Sequence, residues 1–213
     1  MFAYLSSIPT LLTLKCQATS ISDFLSLDNL ANCLKVKSAY HIVQVQKAIK
    51  DAKVHPNVWM NELIATDLEA MIRAHLMTLM FESSVKVISN HKFKDPNLPP
   101  VLLAIVQLFA AKHLKDSATA LYETGFFSKG AATLLDQANK HLLVVLRPHM
   151  LGLVEWFSVG DSIPSVIGNK FGDIYEAQLN AAVTSRLNKN KVPSYYEKYM
   201  KPTMTMYSPS AKL

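Results

Sequence analysis

The chain's seven histidines are the natural place to look for acid–base or metal chemistry, because imidazole titrates near neutral pH and ligates metals. His141 and His149 stand eight residues apart, on roughly similar helical sides but more than two turns from each other. No Glu, Asp or Cys lies at ligand spacing beside them. His75 falls between Met71 and Leu79 on an apolar stripe and reads as a hydrogen-bonded core histidine. Glu123, Glu155 and Glu176 each have general-base chemistry, but spacing selects none, and solvated helix faces account for them. The two cysteines, Cys16 and Cys33, form neither a metal motif nor a disulfide framework and read as two thiols in a reducing compartment. There is no Gly-rich phosphate loop, GxSxG, HExxH or CxxC. Gly168-Asn169-Lys170-Phe171-Gly172 holds two glycines but follows no strand, so it is not a dinucleotide fingerprint. The residues therefore assign no catalytic and no metal-ligating side chain.

The elements that would position any such residue are helices. Half of the 213 residues are hydrophobic and only six are glycine, enough for a buried core and too few glycines for a turn-rich sandwich. Residues 1–20 read as an irregular lead-in. A helix is expected from Ser22-Asp23 to about Lys53, ended by His55-Pro56-Asn57. Met60 to Asn90 is apolar over most of its circumference, with a narrow polar face of Glu62, Glu69 and Arg73, and is expected inside a bundle. After a proline loop over 94–100, a third helix runs from Val101 to Tyr122. Gly125 and Gly130 bracket a turn. A fourth helix runs from Ala131 towards Phe157, kinked or divided by Pro148. Shorter pieces follow at 163–167, 174–186 and 194–200. The fold class is all-α: an antiparallel helical bundle over 21–205 with short C-terminal helices, then a flexible tail over 206–213.

The formal charge of +6 raises nucleic acid as a partner. Lysines such as Lys35, Lys37 and Lys47 are scattered on what look like solvent faces, without the clustered, aromatic-interleaved footprint of a nucleic-acid surface. The uncharged stretches Met1–Leu14 and Asn97–Ala111 are short of the roughly 20 apolar residues that span a bilayer, so no transmembrane segment is expected. The chain ends Ala211-Lys212-Leu213, a small–basic–leucine variant of the tripeptide read as a peroxisomal address.

Towards that end the chain resembles the acyl-CoA oxidase family. The resemblance rests on Leu146-Arg147-Pro148-His149 with Leu151, Leu153-Val154-Glu155 and Phe157. It continues through Gly168 to Gly172 with Asp173-Ile174-Tyr175-Glu176, and through Leu187-Asn188 with Val192-Pro193-Ser194-Tyr195-Tyr196-Glu197-Lys198-Tyr199. Arg147, Pro148, Gly168, Gly172, Asp173, Tyr175 and Glu176 carry the motif. Asn169-Lys170-Phe171 replaces the family's arginine-tyrosine-aspartate.

The resemblance implies a peroxisomal, FAD-dependent oxidation of fatty acyl-CoA to trans-2-enoyl-CoA, with hydrogen peroxide as the second product. It also implies that the flavin site, the acyl-CoA pocket and the catalytic glutamate belong mainly to family parts ahead of this region. Tyr122-Glu123-Thr124-Gly125 is out of place for that glutamate. The expectation is a C-terminal helical domain that supports packing and dimerisation and is inactive and flavin-free alone. Its partners would be an oxidase subunit or itself, the peroxisomal import receptor and, only through a full-length enzyme, fatty acyl-CoA. The alternative is a stand-alone, non-catalytic relative that binds an oxidase subunit or another peroxisomal protein.

Overall fold

The computed structural model describes residues 3–51, 58, 64–156, 173–190 and 192–206, and among these there is no strand. The chain divides into two compact units, Met1–Met150 and Leu151–Leu213.

In the first unit, a 3-10 stretch (Ala3–Ser7) and α1 (Ile8–Leu11) occupy the lead-in, where Tyr4 and Leu11 are buried. α2 (Ile21–Phe24) and α3 (Leu27–Asp51) follow. They replace the single helix expected from Ser22-Asp23, for a local reason. Ser20 accepts from the Asp23 N–H at 3.1 Å while Asp23 accepts from the Ser20 N–H at 3.0 Å, which closes a capping box two residues earlier than expected. A second cap follows at once, since Ser26 Oγ accepts from the Asn29 N–H at 3.3 Å and restarts the helix. α4 (Ala65–Asn90) is the second long helix; the expected start at Met60 lies outside the described residues.

α5 (Leu98–Asp116) begins with prolines in its first turn, where a missing N–H costs nothing. The helix expected to reach Tyr122 stops at Asp116 and resumes as α6 (Thr119–Glu123). Ser117 sits at the break, its hydroxyl donating to the His113 carbonyl at 3.1 Å, a side-chain bond that competes with helix continuation. Gly125 and Gly130 both have positive φ, 64° and 95°, and turn the chain into α7 (Ala131–Leu146). A 3-10 turn over Arg147–His149 then divides the fourth helix at Pro148, and α8 (Met150–Trp156) follows.

α3, α4, α5 and α7 form the antiparallel bundle. α3 packs on α4, α5 on α7, and α4 on α5. The core is built from Phe24, Leu30, Leu34, Phe81, Leu114, Leu121, Leu135 and Leu142. Burying each such side chain contributes about 1.5–3 kcal/mol. Lys35–Glu82 at 2.7 Å ties α3 to α4, and Lys115–Asp136 ties α5 to α7. α5 is long and apolar enough to cross a membrane by length and composition. In this fold it lies in the bundle with Ala104, Ala110, Ala111 and Leu114 buried.

One expectation is corrected by α4. It does not sit inside the bundle on all sides: Ala74, Thr78 and Phe81 are its buried residues, while Ile72, Leu76, Met80 and Val87 are exposed. Its apolar circumference thus serves two faces, one packed within this chain and one open.

The second unit contains α9 (Ile174–Thr184), a 3-10 turn over Arg186–Asn188, a π-helical turn over Tyr196–Met200 and α10 (Lys201–Met206). Ser185 caps the 3-10 turn by accepting from the Leu187 N–H at 3.3 Å. Among its described residues none is fully buried, and Tyr175, Leu179 and Val183 form an exposed apolar line along α9. The expected piece at 163–167 lies outside the described residues.

Candidate functional site

A group of interacting polar side chains in the first unit surrounds Lys37. Although it reads as a solvent-face lysine in the sequence, it is 2% exposed. The reason is that Val36, Lys37, Ser38 and Ala39 are all buried, so α3 is covered on every side there. The Lys37 ammonium donates to His113 Nε2 at 2.9 Å and to Ser117 Oγ at 2.5 Å, both neutral partners on or just after α5. Burial without a directly paired carboxylate lowers its pKa from 10.5 to about 8, only partly opposed by Asp116. The same burial, with the adjacent Lys37 charge, lowers His113 to about 4 and holds it neutral as the acceptor this geometry requires. His41 is lowered for the same two reasons. A cleft of about 230 Å³ opens here between Lys37, His41, Arg73 and His113, with Arg73 paired to Glu69 at 2.7 Å. The sequence carried no sign of this group, because the partners of Lys37 lie 76 and 80 positions away.

A second network ties the N-terminal segment to the bundle. The Tyr4 hydroxyl bonds Ser38 Oγ at 2.9 Å and His75 Nδ1. Burial raises the Tyr4 pKa, so the phenol stays neutral. Thr78 Oγ1 donates to the Leu34 and Ala74 carbonyls at 3.2 and 3.0 Å. His75 is therefore a hydrogen-bonded packing histidine. His141 and His149 are exposed, and the described residues contain no group of three metal-ligating side chains.

The motif residues are placed as follows. Arg147 and Pro148 lie exposed in the 3-10 turn between α7 and α8. Asp173 precedes α9, and Tyr175 and Glu176 occupy its first turn, all three exposed and neighbours along the chain. No side-chain hydrogen bond caps the α9 N-terminus. Gly168, Gly172, Ala211, Lys212 and Leu213 lie outside the described residues.

The acyl-CoA oxidase family profile matches residues 26–205. The chain belongs to the acyl-CoA oxidase family. The peroxisomal acyl-coenzyme A oxidase 1 of Phascolarctos cinereus is 27% identical over 212 residues, covering 95% of this chain and 31% of that protein. Acyl-CoA oxidase 1 of Arabidopsis thaliana superposes with a TM-score of 0.81 at 21% identity, over 96% of this chain and 31% of that one. An acyl-CoA oxidase-1 of Caenorhabditis elegans solved with FAD and ATP superposes with a TM-score of 0.73 at 20% identity, over 96% and 33%. This family member thus spans about a third of the length of the relatives it matches.

A flavin requires an enclosed, largely apolar slot for its ring and convergent donors for its pyrophosphate. The clefts here are lined differently. One of about 580 Å³ is bordered by Gln44, Lys47, Asp51, Asp67 and Thr119, and one of about 400 Å³ by Thr19, Ser128, Lys129 and Gln137. Many of these side chains are exposed and most are polar. The described residues do not by themselves fit a flavin.

Proposed function

We propose that this chain is the C-terminal helical domain of a peroxisomal, FAD-dependent acyl-CoA oxidase and that it supports subunit packing and dimerisation. The observation that carries this reading is the coverage: almost the whole chain corresponds to about a third of each relative. The uncovered apolar lines support it. Ile72, Leu76 and Met80 on α4, and Tyr175, Leu179 and Val183 on α9, are side chains that soluble domains seldom leave bare in rows. In this reading the flavin, the acyl-CoA thioester and the general base are held by other parts of the enzyme. When bound there, the flavin accepts hydride from the acyl chain and passes electrons to oxygen. This chain contributes a packed scaffold to that assembly, because positioning of the reacting groups supplies much of the acceleration.

The first test is the native polypeptide, detected with a reagent against residues 194–206. A product several hundred residues longer places the chain inside a complete oxidase. A product of this length favours the alternative, a non-catalytic relative that binds an oxidase subunit or another peroxisomal protein through the same apolar lines. The isolated chain is expected to show no flavin absorbance and no acyl-CoA-dependent peroxide release; either signal would refute the division of labour. Import is tested with a fluorescent fusion, expected to reach peroxisomes only with Ala211-Lys212-Leu213 intact.

A further inference from the structure

The Lys37 ammonium is buried with its charge unbalanced. Of its three N–H donors, one meets His113 Nε2 at 2.9 Å and one Ser117 Oγ at 2.5 Å, and among the described residues no group takes the third. Both acceptors are neutral. The Ser117 hydroxyl gives its own proton to the His113 carbonyl at 3.1 Å, which fixes its oxygen as an acceptor for Lys37. The ion pairs of the first unit are made by Lys35, Arg73, Lys115 and Lys140, so among the described residues no carboxylate pairs with Lys37. Hydrogen bonds to neutral groups replace lost water contacts but supply no counter-charge. A buried charge in that position is costly unless it is paired or gives up its proton.

The cleft of about 230 Å³ that Lys37 borders has room for such a partner. α3 and α5 contribute Lys37, His41 and His113 to its lining, and α4 contributes Arg73 together with the small residues Ala70 and Ala74. Burial and the Lys37 charge keep both histidines neutral at pH 7, so neither adds a cation. Glu69 is the carboxylate among the described lining residues, and Arg73 Nη2 engages it at 2.7 Å. Asp116, at the end of α5, favours the Lys37 ammonium but does not border the cleft. The cleft thus combines one balanced pair, one unbalanced cation and two alanines.

We propose that this cleft binds a short aliphatic carboxylate, its oxygens on the Lys37 ammonium and its stem against Ala70 and Ala74. One negative charge matches the one unbalanced cation. A carboxylate oxygen accepts the third Lys37 N–H in a charge-assisted hydrogen bond, the stronger kind. A second negative charge would meet Glu69 in the cleft and Asp116 near Lys37, which disfavours a phosphate dianion. The volume lies below the roughly 300–1,000 Å³ of sites for drug-sized ligands, so the stem must be short. Every group involved belongs to this chain's own first unit, and the inference stands apart from the oxidase reading.

The test titrates the whole chain, carrying ¹³C-labelled lysine, with sodium acetate at pH 7 and constant ionic strength. The Lys37 ε-methylene resonance, identified by its loss in Lys37→Arg, should shift saturably with a dissociation constant on the order of millimolar. Propionate should bind about two- to fourfold tighter for its extra buried methylene. Glu69→Gln, an exposed change that leaves the core untouched, should tighten acetate about two- to fivefold by removing the competing carboxylate. In Lys37→Met, folded by circular dichroism, saturation transfer to acetate should be lost. A Lys37 shift that rises without saturating would overturn the proposal. So would phosphate binding as tightly as acetate, weaker acetate binding in Glu69→Gln, or undiminished transfer in Lys37→Met.

Discussion

Replacing Lys37 by Met should flatten the alkaline rise in stability of the first unit. In the folded chain the ammonium is buried against neutral His113 and Ser117, with a pKa of about 8, whereas the unfolded chain titrates near 10.5. Between those values the unfolded state holds the extra proton, so this group makes stability increase as pH rises through that window. Integrating from pH 7 to pH 10 gives about 2.5 kcal/mol from Lys37 alone, at 1.36 kcal/mol per pKa unit. Methionine keeps the stem's volume and removes the titration. The assay is urea unfolding followed by far-UV circular dichroism for both proteins at pH 7 and pH 10. With a slope of about 2 kcal/mol per molar urea, the wild-type midpoint should gain about 1 M more than that of Lys37→Met over this interval. Other titrating groups are common to both proteins and cancel in the difference. Equal midpoint gains would refute the claim that the ammonium is buried without a directly paired carboxylate.

Three further outcomes follow from packing. Phe81→Ala removes a 2% exposed ring from the α4 core face and should cost about 3–5 kcal/mol in chemical denaturation, against less than about 0.5 kcal/mol for exposed Val87→Ala. Gly125→Ala and Gly152→Ala should differ in sign. The first forces φ +64° on a side-chain-bearing residue and displaces the Lys15 ammonium 2.9 Å away, costing about 1–2 kcal/mol; the second adds a methyl to open space on α8 and should gain about 0.5–1 kcal/mol. Paired substitutions Leu76→Lys and Met80→Lys should shift sedimentation of the isolated chain towards monomer without changing its helicity, since both side chains are about half exposed.

The bundle was legible because its signals are local. Proline loops, the two positive-φ glycines and the Pro148 break are written at the positions they control. Ser20-x-x-Asp23 is also a local signal, and reading the cap at Ser22 hid the short α2. What the sequence could not show was pairing across distance. Lys37 looks like its scattered neighbours until α5 is laid over it, and the lead-in is tied to the turn after α6 by the Cys16 N–H, which donates to the Phe126 carbonyl. The all-round apolarity of α4 was visible, but period alone cannot say whether an apolar face meets this chain or another surface. The family motif was readable as text because it is contiguous in the chain, and Arg147, Pro148 and Tyr175 stand exposed at helix ends and turns.

The Tyr4 hydroxyl sets a timetable for synthesis. Its partner His75 is made seventy-one residues later, about 4–14 s at typical elongation rates. During that interval the phenol has only water and, once it is made, the Ser38 hydroxyl as partners, and the segment around Tyr4 can be fully seated only once α4 has left the ribosome. A slow or stalled ribosome between α3 and α4 would thus prolong the exposure of Tyr4, Leu11 and the uncovered side of α3 to chaperones and proteases, with no change in the final fold.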